Sequence, residues 1–236
     1  MKKINAQGRS VLIIPDMHCP YHHKDAFKFI KACKEKYTDK NSLFINLGDE
    51  VDNAAISFHS TNVDLLSAGQ ELESAIDYLH QLYKLVPDLF ILDSNHGSLA
   101  VRRCKSDGIP IRYLKSLQDI YGTPKWTWWE DIILKTSLGP IYLCHGKSGR
   151  YGNLCKEAGM SAIQGHFHSK FEVTWHKSAT KDVFNLFSGC LIDRKHMAYE
   201  YAKNNIPKAV LGLTVISKHG YPHLIKMDTK GKGDRW

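Results

Sequence analysis

The chain contains no apolar run long enough to cross a membrane, no internal repeat, no low-complexity stretch and no segment that reads as a linker. Its six cysteines (Cys19, Cys33, Cys104, Cys144, Cys155 and Cys190) form no C-x-x-C pair and keep no regular spacing. That argues against a disulfide framework and against a thiolate zinc finger. Most of them read as small buried hydrophobes in a reducing, cytoplasmic setting. Met1-Lys2-Lys3 imitates the start of a secretion signal, but Asn5 to Arg9 is polar and the apolar run Val11 to Ile14 is too short for a signal core. Acid is also in short supply: Lys and Arg exceed Asp and Glu by 32 to 24, a net charge of +8. The balance favours anionic partners such as phosphorylated metabolites, nucleotides or nucleic acid, although a solvated basic surface accounts for the same count.

What is present is an ordinary globule, 43% hydrophobic and 24% charged, with 236 residues to build one large domain and a sizeable core. The first half alternates strand and helix signals. Val11 to Ile14 is a β-branched run closed by Pro15, and Asp25 to Tyr37 carries apolar residues at helical spacing. Ser42 to Leu47 is a second strand, so a β-α-β unit with parallel strands is expected. Asn62 to Val86 is the longest periodic segment, with Thr61 or Asn62 as its cap and Pro87 as its stop. Leu89 to Leu92 is a third strand. Basic helix (Arg102, Arg103, Lys105) and a further helix over Ile111 to Ile120 follow. From Trp126 onward the texture changes to short β-like runs, with a helix expected over Tyr151 to Gly159 and a mobile basic tail from Thr229. Trp126 to Trp129 suits either base stacking or a strand packed on both faces, and the alternation favours the strand.

Five stretches, each following a short apolar run, carry the chemistry: Asp16-x-His18, Gly48-Asp49-x-x-Asp52-Asn53, Asn95-His96, His145-Gly146 and Gly165-His166-x-His168. Strand ends are where an α/β sheet gathers side chains distant in sequence into one cleft. Carboxylate, amide oxygen and imidazole are ligands for Mn, Fe, Co, Ni or Zn, and Mg is also compatible with the oxygens. Asp16, His18, Asp49, Asn95, His145, His166 and His168 are too many ligands for one tetrahedral ion and about right for two octahedral ones. Singly the stretches are weak. Asp-x-His, Asn-His-Gly and His-Gly are common in turns, and only Gly-His-x-His has some specificity, because alternation puts both imidazoles on one side.

In that order the five stretches resemble the calcineurin-like metallophosphoesterase family, whose pattern is D-x-H, G-D-x-x-D, G-N-H-[DE], H and G-H-x-H. The resemblance implies a four-layer α/β/β/α sandwich and two divalent metal ions. Asp16, His18, Asp49 and His168 would hold the first ion, and Asp49, Asn95, His145 and His166 the second, with Asp49 as the bridge. It implies further that His96 assists the leaving group as general acid and that Asp52 hydrogen-bonds and orients His96.

The sequence departs from that pattern at three places. Ser94 stands where the family has Gly, Gly97 where it has an acid, and Asn53 where the protein-phosphatase branch has a phosphate-binding Arg. The last removes protein Ser/Thr phosphatases from consideration. Arg102, Arg103, Lys147 and Arg150 follow motif residues closely enough to meet a substrate phosphate instead. The compact chain is similar to small phage-type members that release phosphate from nucleoside 5′-monophosphates, deoxynucleotides included. A nuclease or phosphodiesterase, and a non-catalytic metal-bound scaffold, are the competing readings; intact His96 and Asp52 argue against the scaffold. His22 and His23 follow the first motif closely enough to support it, although exposed loop histidines fit equally well, and the segment Gly189 to Arg194, similar to one in small phage-type members, has no assigned chemistry.

Overall fold

The structure is a computed structural model and describes residues 1–59, 62–147, 153–202 and 208–229. The strands are β1 (Lys2–Asn5), β2 (Val11–Ile14), β3 (Leu43–Asn46), β4 (Phe90–Leu92), β5 (Thr127–Trp129), β6 (Ile132–Lys135), β7 (Pro140–Cys144), β8 (Ser161–Gln164), β9 (Phe171–Lys177), β10 (Asp182–Ser188), β11 (Gly212–Ile216) and β12 (Pro222–Lys226). The helices are α1 (Ala26–Tyr37), α2 (Ala68–Leu85), α3 (Leu99–Ser106), α4 (Leu117–Tyr121) and α5 (Leu154–Ala158). The chain is mixed α/β, with two six-stranded sheets in the orders β12-β11-β2-β3-β4-β5 and β1-β6-β7-β8-β10-β9.

Strands β2 to β5 run parallel, as the β-α-β reading requires, and β11 joins them antiparallel on β2. All four residues of β2 are buried, which explains a run without polar alternation. One apolar cluster lies between this sheet and α1 and α2, with Leu12 and Ile14 against Ile30, Cys33, Leu79 and Leu82. A second joins the two sheets, with Ile13 and Ile45 against Leu134, Leu143, Ile163 and Phe184. Alternate residues of β2 therefore serve opposite faces. A small third cluster, Cys144 and Ala162 with Leu154 and Cys155, seats α5 on the other sheet.

Several boundaries differ from the sequence expectations. The long helix begins at Ala68, and its cap is Ser67, in a reciprocal capping box with Gln70; residues 62 to 66 lie outside the helix. The apolar stripe misleads at this end because Leu65 packs on the core from a turn rather than from a helix. The expected helix over Ile111 to Ile120 is a single 3-10 turn, Ile111–Tyr113, followed by α4 with its own cap at Ser116. Strands β1 and β12 have no clear sequence signal; β1 buries only Ile4 fully and is recruited by parallel pairing with β6. The expected helix over Tyr151 to Gly159 is described only as α5, and Thr61, Arg150 and the tail beyond Thr229 lie outside the described residues. The Trp run is a strand packed on both faces: Trp126 and Trp128 join the helix-side cluster and Trp129 packs against the inter-sheet one.

Candidate metal centre

Each of the five stretches emerges at the carboxyl end of a strand. Asp16 and His18 follow β2, Asp49 follows β3, Asn95 and His96 follow β4, His145 follows β7, and His166 and His168 follow β8. Registers pair Ile14 with Asn46 and Asn46 with Ile91, so the first three loops leave the sheet at one level. The backbone at the loops is unusual. His18, Asp49, Asn53 and His166, the non-glycine residues with positive φ among those described, all belong to the motifs. Such conformations persist only where surrounding contacts over-determine them. His18 and Asp49 are fixed by main-chain bonds from Met17 and His18 N–H to the Asp49 carbonyl, 3.0 and 2.7 Å, and His166 by its N–H on Asp16 Oδ2 at 2.7 Å.

Among the described residues three groups of possible donors form: two share Asp49, and the third, His18, Asp52 and His96, adjoins the first. In the first, ligand atoms of Asp16, His18, Asp49 and His168 lie within 4.8 Å of one another; in the second, those of Asp49, His145 and His166 do. Asn95 adds its amide oxygen to the second, 2.7 Å from His145 Nε2 and 3.2 Å from His166 Nδ1. All seven expected ligands are thus gathered. Both sets can hold a metal ion, and the donors suit one. They are oxygens and imidazole nitrogens only, and Asp16 Oδ1 is buried without a hydrogen-bond partner. His18 Nε2 faces His168 Nε2 at 3.2 Å and Asp49 Oδ2 at 3.3 Å. At Gly165 a side chain would run into the Asp16 carboxylate, so the turn before His166 has room for glycine alone.

Titration follows from the crowding. Burial pushes the Asp49 carboxyl up, but His145 and His18 outweigh it and hold it well below the usual range. Burial lowers His145, while Asp49 and Asp16 together raise it to about 9. His18 is likewise raised well above its ordinary value by Asp49 and Asp52 against its burial. Without a cation the carboxylates hold protons on these imidazoles, and a divalent ion would displace those protons.

Behind the ligands stands a set of orienting groups. His145 donates Nδ1–H to the Leu47 carbonyl at 2.9 Å, which leaves Nε2 for the cluster. His18 Nδ1 lies 2.5 Å from Asp52 Oδ1, a carboxylate–histidine pair of the kind that aims a ligand. This corrects the role expected for Asp52. Its carboxylate holds His18 and stands 3.5 Å from His96 Nδ1, whereas the close partner of His96 Nδ1, at 2.5 Å, is the Asp52 main-chain carbonyl. His96 is further clamped by its own N–H on Asp49 Oδ1 and by Asn53 Nδ2 on its carbonyl, both 3.0 Å.

Two of the departures gain a physical account here. Ser94 Oγ accepts the N–H groups of Asp49 and Gly97, at 2.8 and 3.1 Å, so this hydroxyl fixes the backbone of the shared carboxylate. Asn53 grips the His96 loop. Neither role is legible in a sequence, because both are side-chain bonds to main chain across strands. Glu50 was also missed: it is buried behind the cluster, and Trp128 Nε1 donates to it at 2.9 Å. Cys190 bridges to Asp16, and Leu191 N–H bonds the Asp16 carbonyl at 2.8 Å, so Gly189 to Arg194 braces the first motif loop. His22 packs edge-on against Phe27 and Tyr78, away from the donors.

The expected phosphate cations divide. Lys147 is bound to Asp131 at 2.5 Å. Arg103 bonds the Ile56 and Ser57 carbonyls and lies over the Phe58 ring at 4.0 Å, so it holds a loop. Arg102 reaches the cluster's own backbone, through the Asn95 carbonyl at 2.5 Å. No protein-family model and no curated protein matches this chain.

Proposed function

We propose that the protein is a dinuclear-metal phosphoesterase of the calcineurin-like kind, acting as a phosphomonoesterase on nucleoside or deoxynucleoside 5′-monophosphates. The observation that carries the reading is one buried carboxylate, Asp49, shared by two donor sets with His96 clamped beside it. The two six-stranded sheets and their helices support the four-layer α/β/β/α arrangement of that family. Two divalent ions, Mn or a related metal, would supply an activated water and neutralise charge on the phosphoryl group.

The chain's own residues have separable tasks. Asp16, His18, Asp49 and His168 would hold one ion, and Asp49, Asn95, His145 and His166 the other. His96 gives its Nδ1–H to the Asp52 carbonyl, and burial favours the neutral ring, so it is from the doubly protonated form that Nε2–H would pass a proton to the departing alkoxide. Arg102 braces the Asn95 carbonyl from outside the cleft and so supports a ligand loop.

The cleft beside the cluster favours a small ester over a polymer. Among the described residues that line it, none is Lys or Arg, whereas a groove that tracks a nucleic-acid backbone is basic. The purified protein with Mn²⁺ is expected to release phosphate from nitrophenyl phosphate and deoxynucleoside monophosphates. It is expected to leave bis-nitrophenyl phosphate and plasmid DNA intact. Cleavage of the diester or the DNA would favour the nuclease reading, and no turnover with metal bound would favour a scaffold.

A further inference from the structure

A cleft of about 710 Å³ takes in the donor cluster and opens outward past His96, and its outer walls come from two segments distant in sequence. One is the loop after Asn53, with Ala54, Ser57 and Leu65; the other is the 3-10 turn that begins at Met197. We propose that this cleft is a leaving-group pocket for an alcohol that carries an aromatic ring, with Leu65, Met197 and Ala198 as its apolar wall. The inference rests on the phosphoesterase reading and adds which residues select the substrate.

Three observations point to a ring. The volume lies within the range of roughly 300–1,000 Å³ typical of small-molecule pockets, far more than a phosphoryl group needs. Away from the metal donors Ala54, Leu65, Met197 and Ala198 outnumber the polar Ser57, His59 and Asn62, so a polyol would lose water over the apolar part without replacement. Met197 is 43% exposed at the mouth, and a thioether makes favourable contacts with ring faces and edges.

The wall is also built in advance. Glu71, 3% exposed, accepts the consecutive N–H groups of Ala54 and Ala55 on its two carboxylate oxygens, each at 2.8 Å. Arg103 takes the next two carbonyls, Ile56 and Ser57, and stacks on Phe58. A loop fixed at four successive backbone groups does not need to be ordered by its ligand. This is a task for Arg103 other than the phosphate contact expected from its position in the sequence.

The test compares 2-naphthylmethyl phosphate with glycerol 3-phosphate, two alkyl esters of similar intrinsic reactivity, on the full chain loaded with Mn²⁺. Met197→Gln removes the apolar contact without adding charge at an exposed position, and Met197→Leu keeps it. The expected result is a loss of about tenfold in kcat/KM for the naphthyl ester in Met197→Gln, carried by KM. Glycerol phosphate should change less than twofold, and Met197→Leu should behave as wild type. A fluorescence titration with 2-naphthylmethanol, which has no phosphate, reads the pocket without turnover. If no ester is hydrolysed yet the alcohol binds and Met197→Gln weakens it, the phosphoesterase reading falls and the pocket stands. Equal losses on both esters, or no binding of the alcohol, overturn the pocket.

Discussion

Asp52 and His96 are neighbours in space with different employments, and substitutions should separate them. Asp52→Asn removes the carboxylate that aims His18 but keeps the main-chain carbonyl on which His96 rests. Metal affinity should fall 10–100-fold, read by metal titration, while the His96 ring keeps its place. His96→Ala should do the reverse, retaining metal while turnover drops about 10²–10⁴-fold. Loss of metal in His96→Ala would refute the division. A second residue-scale effect lies outside the centre. Burial holds the His22 imidazole down at about 4, with His23 adding to it and Asp193 opposing. The folded state therefore resists a proton that the unfolded chain accepts near 6.5. Stability is complete above that value and declines as pH falls from about 6.5 to about 4, by about 3 kcal/mol in all. Denaturant midpoints against pH should show this slope, and His22→Leu should flatten its share of it.

Elements explain which features were legible beforehand. The strand ends were readable because β2, β3 and β4 are short buried runs followed at once by Asp, Asn or His. The ligand set follows from residue type and order alone. The supporting bonds were not readable, since Ser94 to Asp49 N–H and Asn53 to the His96 carbonyl depend on how loops from different strands face one another. Cations misled for a related reason: Arg103 and Lys147 follow motif residues in sequence, yet nearby carbonyls and Asp131 capture them. The start of α2 is not legible because an apolar stripe records burial, not helicity, and Leu65 is partly buried from a turn. The capping box fixes the true start, so Ser67→Ala should cost about 1 kcal/mol in thermal or denaturant unfolding. Metal affinity should not change, since Ser67 touches no donor.

At the scale of the molecule, the centre links stability to metal. An ion that binds the folded form alone adds about 2.7 kcal/mol at a hundred times its dissociation constant. For a chain of this size that corresponds to a rise in Tm of roughly 5–10 °C with Mn²⁺, reversed by a chelator. Asp49→Ala, which removes the donor common to both sets, should abolish most of the rise. The mixed α/β architecture was legible from the change of texture at Trp126. What was not legible is the exchange of strands, β1 into one sheet and β11 and β12 into the other, because such pairing depends on open sheet edges rather than on local pattern.

That exchange, with the strand-end loops, has a mechanical meaning. Asp16, Asp49 and Asn95 hang from one sheet, and His145, His166 and His168 from the other. Apart from the strand exchange and chain connections, the sheets meet through an apolar layer of aliphatic and aromatic side chains and the buried Ser188–Thr214 hydroxyl pair at 2.8 Å. A cation between them would act as a rivet. It would set the register of one sheet over the other, and with it the width of the cleft. The metal would then be part of the ruler by which the cleft measures what enters it, as well as part of the proposed chemistry.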